Sequence, residues 1–562
     1  MSFTFTVSAA DWGRIVPELI LAAIALLVLL VDLLLPQPGK GQTSTGNFLV
    51  LPVLCLLGLA GAIVATIILF TLGDHQPAFN QMIASGQGTL YAYIIILSAS
   101  FLGILLSPAY LKRLNLVHQG EYYALMLLAT VGMMIMAAAI SFLTVFLGLE
   151  MLSLALYILC GFVTRRGSSQ ESSMKYFLLS SFASAFLLYG IALIYGATGN
   201  TSFKGISSFL VQRVALTSRL PLLPFPSHTL LLIGMGLLVV GFAFKVSAVP
   251  FQAWTPDVYD GAPAPVTAFM SVGTKAAALI AFARVFDVVL PAIKSDWEPV
   301  VLAIAILTLV GGNVLALVQS KVKRLLAYSS IAHAGYLLIG VVAGGVIGLS
   351  AILFYLLCYT FMNLGAFGVV SVLERVDNSG SDLTDIRGLW YRQPLLAGFL
   401  AFFMLALAGF PPMAGFAAKY YIFYAALQSG HPELLIIGVL ASVLGMYYYL
   451  RVIAAMFMER EAVPAVAAAT VAPAPVPGKR VSTKLSNART GAATAVAVKT
   501  GTSPLSQRRT AGAIEKVEEK RVEVAWTTWA ALGIAALGTF AMGTVLPFWL
   551  VNVAVNAAGM MR

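Results

Sequence analysis

The chain has 562 residues, of which 60% are hydrophobic and only 10% are Asp, Glu, Lys or Arg, against roughly 25% charged residues in an ordinary soluble domain. So little charge could not cover the surface of a soluble protein this long, and with a mean hydropathy of +0.91 the composition indicates a polytopic membrane protein. The formal net charge of +11 suggests nucleic acid, but many of the basic residues lie in short loops between apolar runs, where membrane orientation accounts for them.

Apolar segments begin near Ile15, Phe48, Thr89, Tyr122, Ser141, Met174, Thr229, Pro265, Glu298, Arg324, Val346, Pro394, Glu433 and Ala525, which predicts about fourteen spans of bilayer-crossing length. The first is no cleavable signal, because Asp11 and Glu18 make its start acidic and no A-x-A site follows. Cys55, Cys160 and Cys358 fall inside apolar runs without cluster or zinc spacing. No G-x-G-x-x-G follows a strand, so neither redox nor nucleotide chemistry is expected in the chain itself.

Basic residues recur after the odd-numbered spans: Lys40, Lys112 and Arg113, Arg165 and Arg166, Lys321, Lys323 and Arg324, then Arg375, Arg387 and Arg392. The positive-inside bias puts these loops in the cytoplasm and both termini outside. Lys204, Arg213 and Arg219 after the sixth span are the main exception. Residues 459–523 turn polar and low in complexity, with an Ala/Pro/Val-rich stretch and a Glu-Lys-rich end. That composition cannot bury a core and reads as a flexible cytoplasmic linker before the last span. Its end, 514–524, has the pattern of a short interfacial helix.

An ionisable residue at mid-span costs on the order of 3 kcal/mol or more. Glu150, Lys245, Lys275 and Lys419 lie that deep, and His333 is a fifth polar site. Snorkelling suits Lys175 and Arg451 at span ends but not Glu150 or Lys245. A purely structural ion pair is the competing reading, and a neutral histidine held by a carbonyl is the competing reading for His333. One carboxylate cannot pair off three lysines, however, and burial disfavours the charged form of an unmatched lysine, as a group that loads and unloads a proton requires.

Val249-Pro250-Phe251 and Phe410-Pro411-Pro412 interrupt the seventh and twelfth spans, each near one of these lysines. Proline frees a carbonyl, which at membrane depth needs protein or a hydrated cavity to meet it. The breaks are five spans apart, and a five-helix unit repeated once must invert, the architecture of ion-coupled transporters. The predicted fold is therefore an all-α polytopic membrane protein with two inverted five-helix repeats, spans four to eight and nine to thirteen. Its parts are an N-terminal segment 1–121, repeats 122–290 and 291–458, the linker 459–524 and a C-terminal span 525–562.

The run FKVSAVPFQAWTPDVYDGAPAPVTAF at 244–269, SVGTKAAA at 271–278, KRLLAYSSIAHAGY at 323–336, KYFLL at 175–179 and GFAAKYY at 415–421 closely resemble the subunit N family of bacterial NADH-quinone oxidoreductase, respiratory complex I. The resemblance covers nearly all of the chain except 459–523. It separates the chain from sister subunit M, which usually has Glu at the position of Lys419, and from subunit L, which carries extra spans and a lateral helix. It implies a Glu-Lys pair at Glu150 and Lys245, a central relay at Lys275 and a second half-channel at Lys419, with His333 and Lys175 as weaker members.

The same resemblance implies a proton-translocating subunit of the bacterial inner membrane, beside subunits M and K and membrane lipid. NADH, FMN, iron-sulfur clusters and quinone then belong to the complex and no cofactor to this chain. Gln252 departs from the His that many family members carry, and glutamine cannot carry a proton near neutral pH. An Mrp-type cation/proton antiporter or a membrane-bound hydrogenase subunit of the same fold is the first rival. A non-conducting assembly scaffold is the second. The expected mechanism is a switch: Glu150 near Lys245 stabilises its proton, and their separation drives it towards Lys275 and Lys419, at about 4 kcal/mol for a pair ~4 Å apart with an effective dielectric near 20.

Overall fold

In a bilayer an apolar run has only its own backbone to bond, so these runs fold as helices. The computed structural model describes residues 8–35, 47–74, 76–114, 119–219, 228–375, 377–458 and 524–561. Among them the regular structure is helical, with only isolated bridges of β type. The linker expected at 459–523 lies outside the described residues.

The first helices are α1 Ala9–Arg14, α2 Val16–Leu34, α3 Asn47–Leu72, α4 Gln87–Arg113, α5 Gln119–Ala138, α6 Phe142–Cys160 and α7 Gly167–Thr198. They are followed by α8 Phe203–Arg219, α9 His228–Val246, α10 Trp254–Gly261, α11 Ala264–Arg284, α12 Lys294–Leu317, α13 Val322–Ala343 and α14 Gly345–Leu373. The chain continues through α15 Leu389–Arg392, α16 Pro394–Ala408, α17 Ala414–Gln428, α18 Pro432–Phe457, α19 Trp526–Thr544 and α20 Pro547–Gly559. Twelve of the described helices are long and apolar enough to cross a membrane, and α19 with α20, bent by 87°, forms one further candidate. α16 is shorter, and its 15 residues rise only about 22 Å against a hydrocarbon core of about 30 Å.

Three elements differ from the sequence expectation, the first being the C-terminal span, which is broken into α19 and α20 by a bend of 87°. α7 starts at Gly167 rather than near Met174, because its polar first turns extend the helix past the apolar run. α8 occupies a stretch that hydropathy alone leaves as a loop, and Arg213 lies over the Phe209 ring at 5.5 Å.

Every residue of α11 is buried, and α13, α4, α5 and α14 pack closely around it. α2, α3 and α7 lie outside, with leucines and phenylalanines such as Leu30, Leu57 and Phe182 exposed. The lysine-bearing α11 is thus the axis of the bundle.

Several contacts recur at a constant spacing. A Cβ on Gly132 of α5 would meet the Leu152 nitrogen of α6 at 2.6 Å, and one on Gly312 of α12 would meet the Ala332 nitrogen of α13 at 2.6 Å. Phe142 N–H donates to Thr201 O and Phe203 N–H to Ile140 O (both 3.0 Å), while Val322 N–H donates to Ser381 O (2.8 Å) and Leu383 N–H to Ser320 O (2.9 Å). Each second member lies 180 positions after the first.

The breaks also correspond. α9 ends with Ser247 left-handed at φ 65° and α16 with Gly409 at φ 92°. Ser247 N–H donates to Phe244 O and Ala248 N–H to Ala243 O; Gly409 N–H donates to Ala406 O and Phe410 N–H to Leu405 O. This is the same helix-ending motif twice. Pro250 and Pro412 follow at equal distance and prevent the helix from resuming at once. Arg166, just past α6, and Lys323, in the first turn of α13, both reach Glu374, so the end of α6 and the start of α13 share one end of the bundle.

Candidate functional site

The breaks expose carbonyls and hydroxyls to buried ammonium groups. Lys245, in the last turn of α9, donates to Ser153 Oγ of α6 at 2.7 Å and to Tyr176 OH of α7 at 3.1 Å. Trp254, which opens α10, stacks on Tyr176 with centroids 4.8 Å apart and donates to the Phe244 carbonyl at 3.0 Å. The break after α9 therefore builds the wall that orients the hydroxyl of Tyr176.

Lys275, midway along α11, donates to Ser330 O at 2.6 Å and Ser330 Oγ at 2.5 Å. Next to Ser330, Ser329 hydrogen-bonds Tyr449 OH of α18. Tyr449 OH is 3.2 Å from His333 Nε2, and His333 Nδ1 is 2.7 Å from Tyr355 OH of α14. Lys419 of α17 donates to Ala408 O, the last carbonyl of α16, and to Ser442 Oγ, both at 2.9 Å. Its ammonium sits 5.2 Å from the Tyr336 ring centroid, and Tyr336 stacks on Tyr355 at 6.4 Å. His333 and Lys419 are thus joined by hydroxyls and rings in one buried network, and Lys275 rests on Ser330, the residue next to its Ser329 end.

None of these three lysines is paired with a carboxylate among the described residues. Their partners are neutral, so either protonation state keeps a hydrogen-bonding environment; a buried ion pair would instead fix the charged form. Around these lysines the hydroxyls of Tyr157, Tyr259 and Tyr359 are buried without a well-aligned hydrogen bond among the described residues, and Tyr359 packs against the His333 ring at 4.8 Å. These hydroxyls retain unused hydrogen-bonding capacity.

Glu150 makes no hydrogen bond to Lys245 among the described residues. Its Oε1 is buried without a hydrogen-bond partner among the described residues, and Lys245 is held by Ser153 one turn further along α6. Glu150 lies at the edge between the stripe of exposed Leu143, Leu147 and Leu154 and the inward face that carries Ser153 three residues on. Lys175 is 41% exposed and joins Glu171 (2.7 Å) and Asp257 (2.8 Å), and Asp257 also receives Arg324 at 2.9 Å. It belongs to a surface charge cluster one residue from Tyr176.

The family described as NADH:quinone oxidoreductase/Mrp antiporter, TM, matches residues 139–445. Subunit N of the NADH-quinone oxidoreductase of Trichlorobacter lovleyi is 45% identical over 445 residues, covering 79% of this chain and 87% of that protein. The chain belongs to the subunit N family of NADH-quinone oxidoreductases. A chain of respiratory complex I from Thermus thermophilus superposes with a TM-score of 0.68 at 30% identity, covering 95% of this chain and 98% of that one. A chain of the Mrp complex from Dietzia sp. reaches a TM-score of 0.71 at 19% identity over 99% and 98% of the two chains, a likeness of fold.

In this member of the subunit N family the structure shows further buried charges. Glu374, after α14, is bonded by Arg166 at 2.5 Å, Lys323 at 3.2 Å and Tyr110 OH at 2.7 Å. Arg284 donates to Ala137 O and Ala139 O, and Glu18 accepts from Tyr93 OH. In sequence Arg166 and Lys323 read as topology signals because they adjoin apolar runs, and only the tertiary fold brings them to Glu374.

Proposed function

We propose that the chain translocates protons as a membrane-arm subunit of a bacterial inner-membrane NADH-quinone oxidoreductase, with Lys245, Lys275 and Lys419 as its carriers. The observation that carries this reading is that each of the three buried ammonium groups rests on hydroxyls or carbonyls and forms no ion pair with a carboxylate among the described residues. A nearby charge can then shift a proton on or off without first breaking an ion pair. NADH, FMN, iron-sulfur clusters and quinone are assigned to other subunits.

Glu150 supplies the switch in this account. Glu150 Oε1 has no hydrogen-bond partner among the described residues and Ser153 is one turn away, so Lys245 would exchange between the serine-tyrosine site and the carboxylate. The exposed stripe of α6 around Glu150 favours a neighbouring small helical subunit there, subunit K, with subunit M as a further neighbour. The two five-helix units are read as inverted repeats: the recurring contacts support this, because the equivalent helices α6 and α13 start at opposite ends of the bundle. The basic loops are assigned to the cytoplasm and both termini to the other side.

Replacing Lys245 with Met in the assembled complex tests the reading through proton pumping measured beside quinone reduction. Pumping should fall by more than quinone reduction does. Normal pumping in a fully assembled variant removes Lys245 from the path, and sodium/proton exchange without quinone reduction favours an antiporter.

A further inference from the structure

At the Glu374 end of the bundle, α4, α14 and the start of α19 line a half-open cavity of about 550 Å³. Its walls include Leu106 and Val372, and its lining carries two cations, Lys112 and Arg113. Arg113 donates to Val372 O at 2.7 Å and Glu374 O at 3.3 Å, so the C-terminal carbonyls of α14 hold the guanidinium in place. Glu374 itself is engaged by Arg166 and Lys323 and acts on Arg113 only through space; among the described residues neither Lys112 nor Arg113 forms a salt bridge.

The third wall is the start of α19. Its N-cap, Ala525, lines the cavity and provides no side-chain cap, so the amides of Trp526 and Thr527 have no helical acceptor. Unpaired amides and the positive helix end attract an anion. Two cations, a bare helix start and apolar walls, at the level where three candidate spans end, match an amphiphile with a negative head. A free inorganic anion would leave the apolar walls and most of the volume unused.

We propose that this cavity binds the headgroup of an anionic phospholipid, its phosphate facing Lys112, Arg113 and the first turn of α19 and its glycerol and upper acyl carbons against Leu106 and Val372. The site tethers the end of α4 to the start of α19 through the lipid, which adds to the translocation reading without depending on it.

The test uses the purified, assembled complex in nanodiscs that carry a photoactivatable phosphatidylglycerol or the matching phosphatidylcholine. Labelled peptides from the ends of α4 and α19 are counted by mass spectrometry. Phosphatidylglycerol should label them several-fold more than phosphatidylcholine, each cation contributing about fivefold, and Lys112→Gln or Lys112→Glu should reduce that preference in complexes of normal subunit content. Equal labelling by the two lipids, or a preference that survives both variants, overturns the proposal. Suppression by inorganic phosphate would assign the site to a free anion. Labelling that appears only once Glu518, Glu519 and Glu523 are neutralised would assign the site to the chain's own acidic run. Either result also overturns it.

Discussion

Ser330, whose side chain and carbonyl hold the Lys275 ammonium at 2.5 and 2.6 Å, stands 180 positions after Glu150, the same spacing that relates the recurring helix contacts. Where α6 carries a carboxylate, α13 carries a neutral hydroxyl facing the central lysine. A carboxylate there would stabilise a charged Lys275, whereas the serine leaves the proton exchangeable.

Ser330→Ala should therefore slow translocation moderately, since it removes one hydrogen bond to a charged group, worth roughly 1.5–3 kcal/mol, and keeps the carbonyl contact. Ser330→Glu should impair it more, because an ion pair of about 4 kcal/mol holds the proton on Lys275. Proton uptake in proteoliposomes ranks the two; equal activity in both would show that the Ser330 contact is incidental.

Tyr449→Phe cuts the hydroxyl that joins Ser329 to His333 while keeping the ring. Pumping should drop several-fold with subunit content unchanged, and His333→Gln in the same background should add little, because residues in one network are not additive. Independent, multiplying losses in the double variant would place the two residues on separate paths.

Gly132→Leu and Gly312→Leu place side chains where even a Cβ lies 2.6 Å from a neighbouring backbone nitrogen. Each should destabilise the subunit by about 1–3 kcal/mol or more, seen as a lower thermal unfolding temperature in detergent. If the two units repeat, the losses should be similar in size. A tolerated Gly132→Leu would mean that α5 and α6 can separate.

Burial opposes ionisation of Glu374, but the Lys323 and Arg166 charges beside it and the hydrogen bonds from Tyr110 and Arg166 outweigh burial and hold its carboxyl below the usual glutamate value of 4.5. A lowered carboxyl contributes stability that is fully present above the unfolded value and is lost as pH falls through the folded one. Thermal stability of the complex should thus decline below pH 4.5. Glu374→Gln should lower stability at neutral pH by leaving two buried cations uncompensated and should weaken the acid decline. An unchanged acid limb in that variant would assign the decline to other carboxylates.

Much of the site was legible because charge inside an apolar run is rare: Lys245, Lys275, Lys419 and His333 announced themselves against their neighbours, and the prolines marked both breaks. The partners were less visible. Ser153, Ser330, Tyr176 and Tyr449 are ordinary in composition, and their roles depend on helix facing and on tertiary packing. Glu150 stands out as a charge in an apolar run, but sequence spacing does not tell that the neighbouring Ser153 takes the hydrogen bond of Lys245. Lys175 reads as a span-end residue, and the polar turns that extend α7 to Gly167 explain its place in a surface cluster. Glu374 was hidden because an apolar run ends beside it, and its two cations come from segments far away in sequence.

The central claim is that protons pass through Lys275. The most direct measurement is the proton-to-electron ratio of proteoliposomes containing the fully assembled complex with Lys275→Met. The account predicts a ratio clearly below wild type while quinone reduction continues. A wild-type ratio at normal assembly would contradict it.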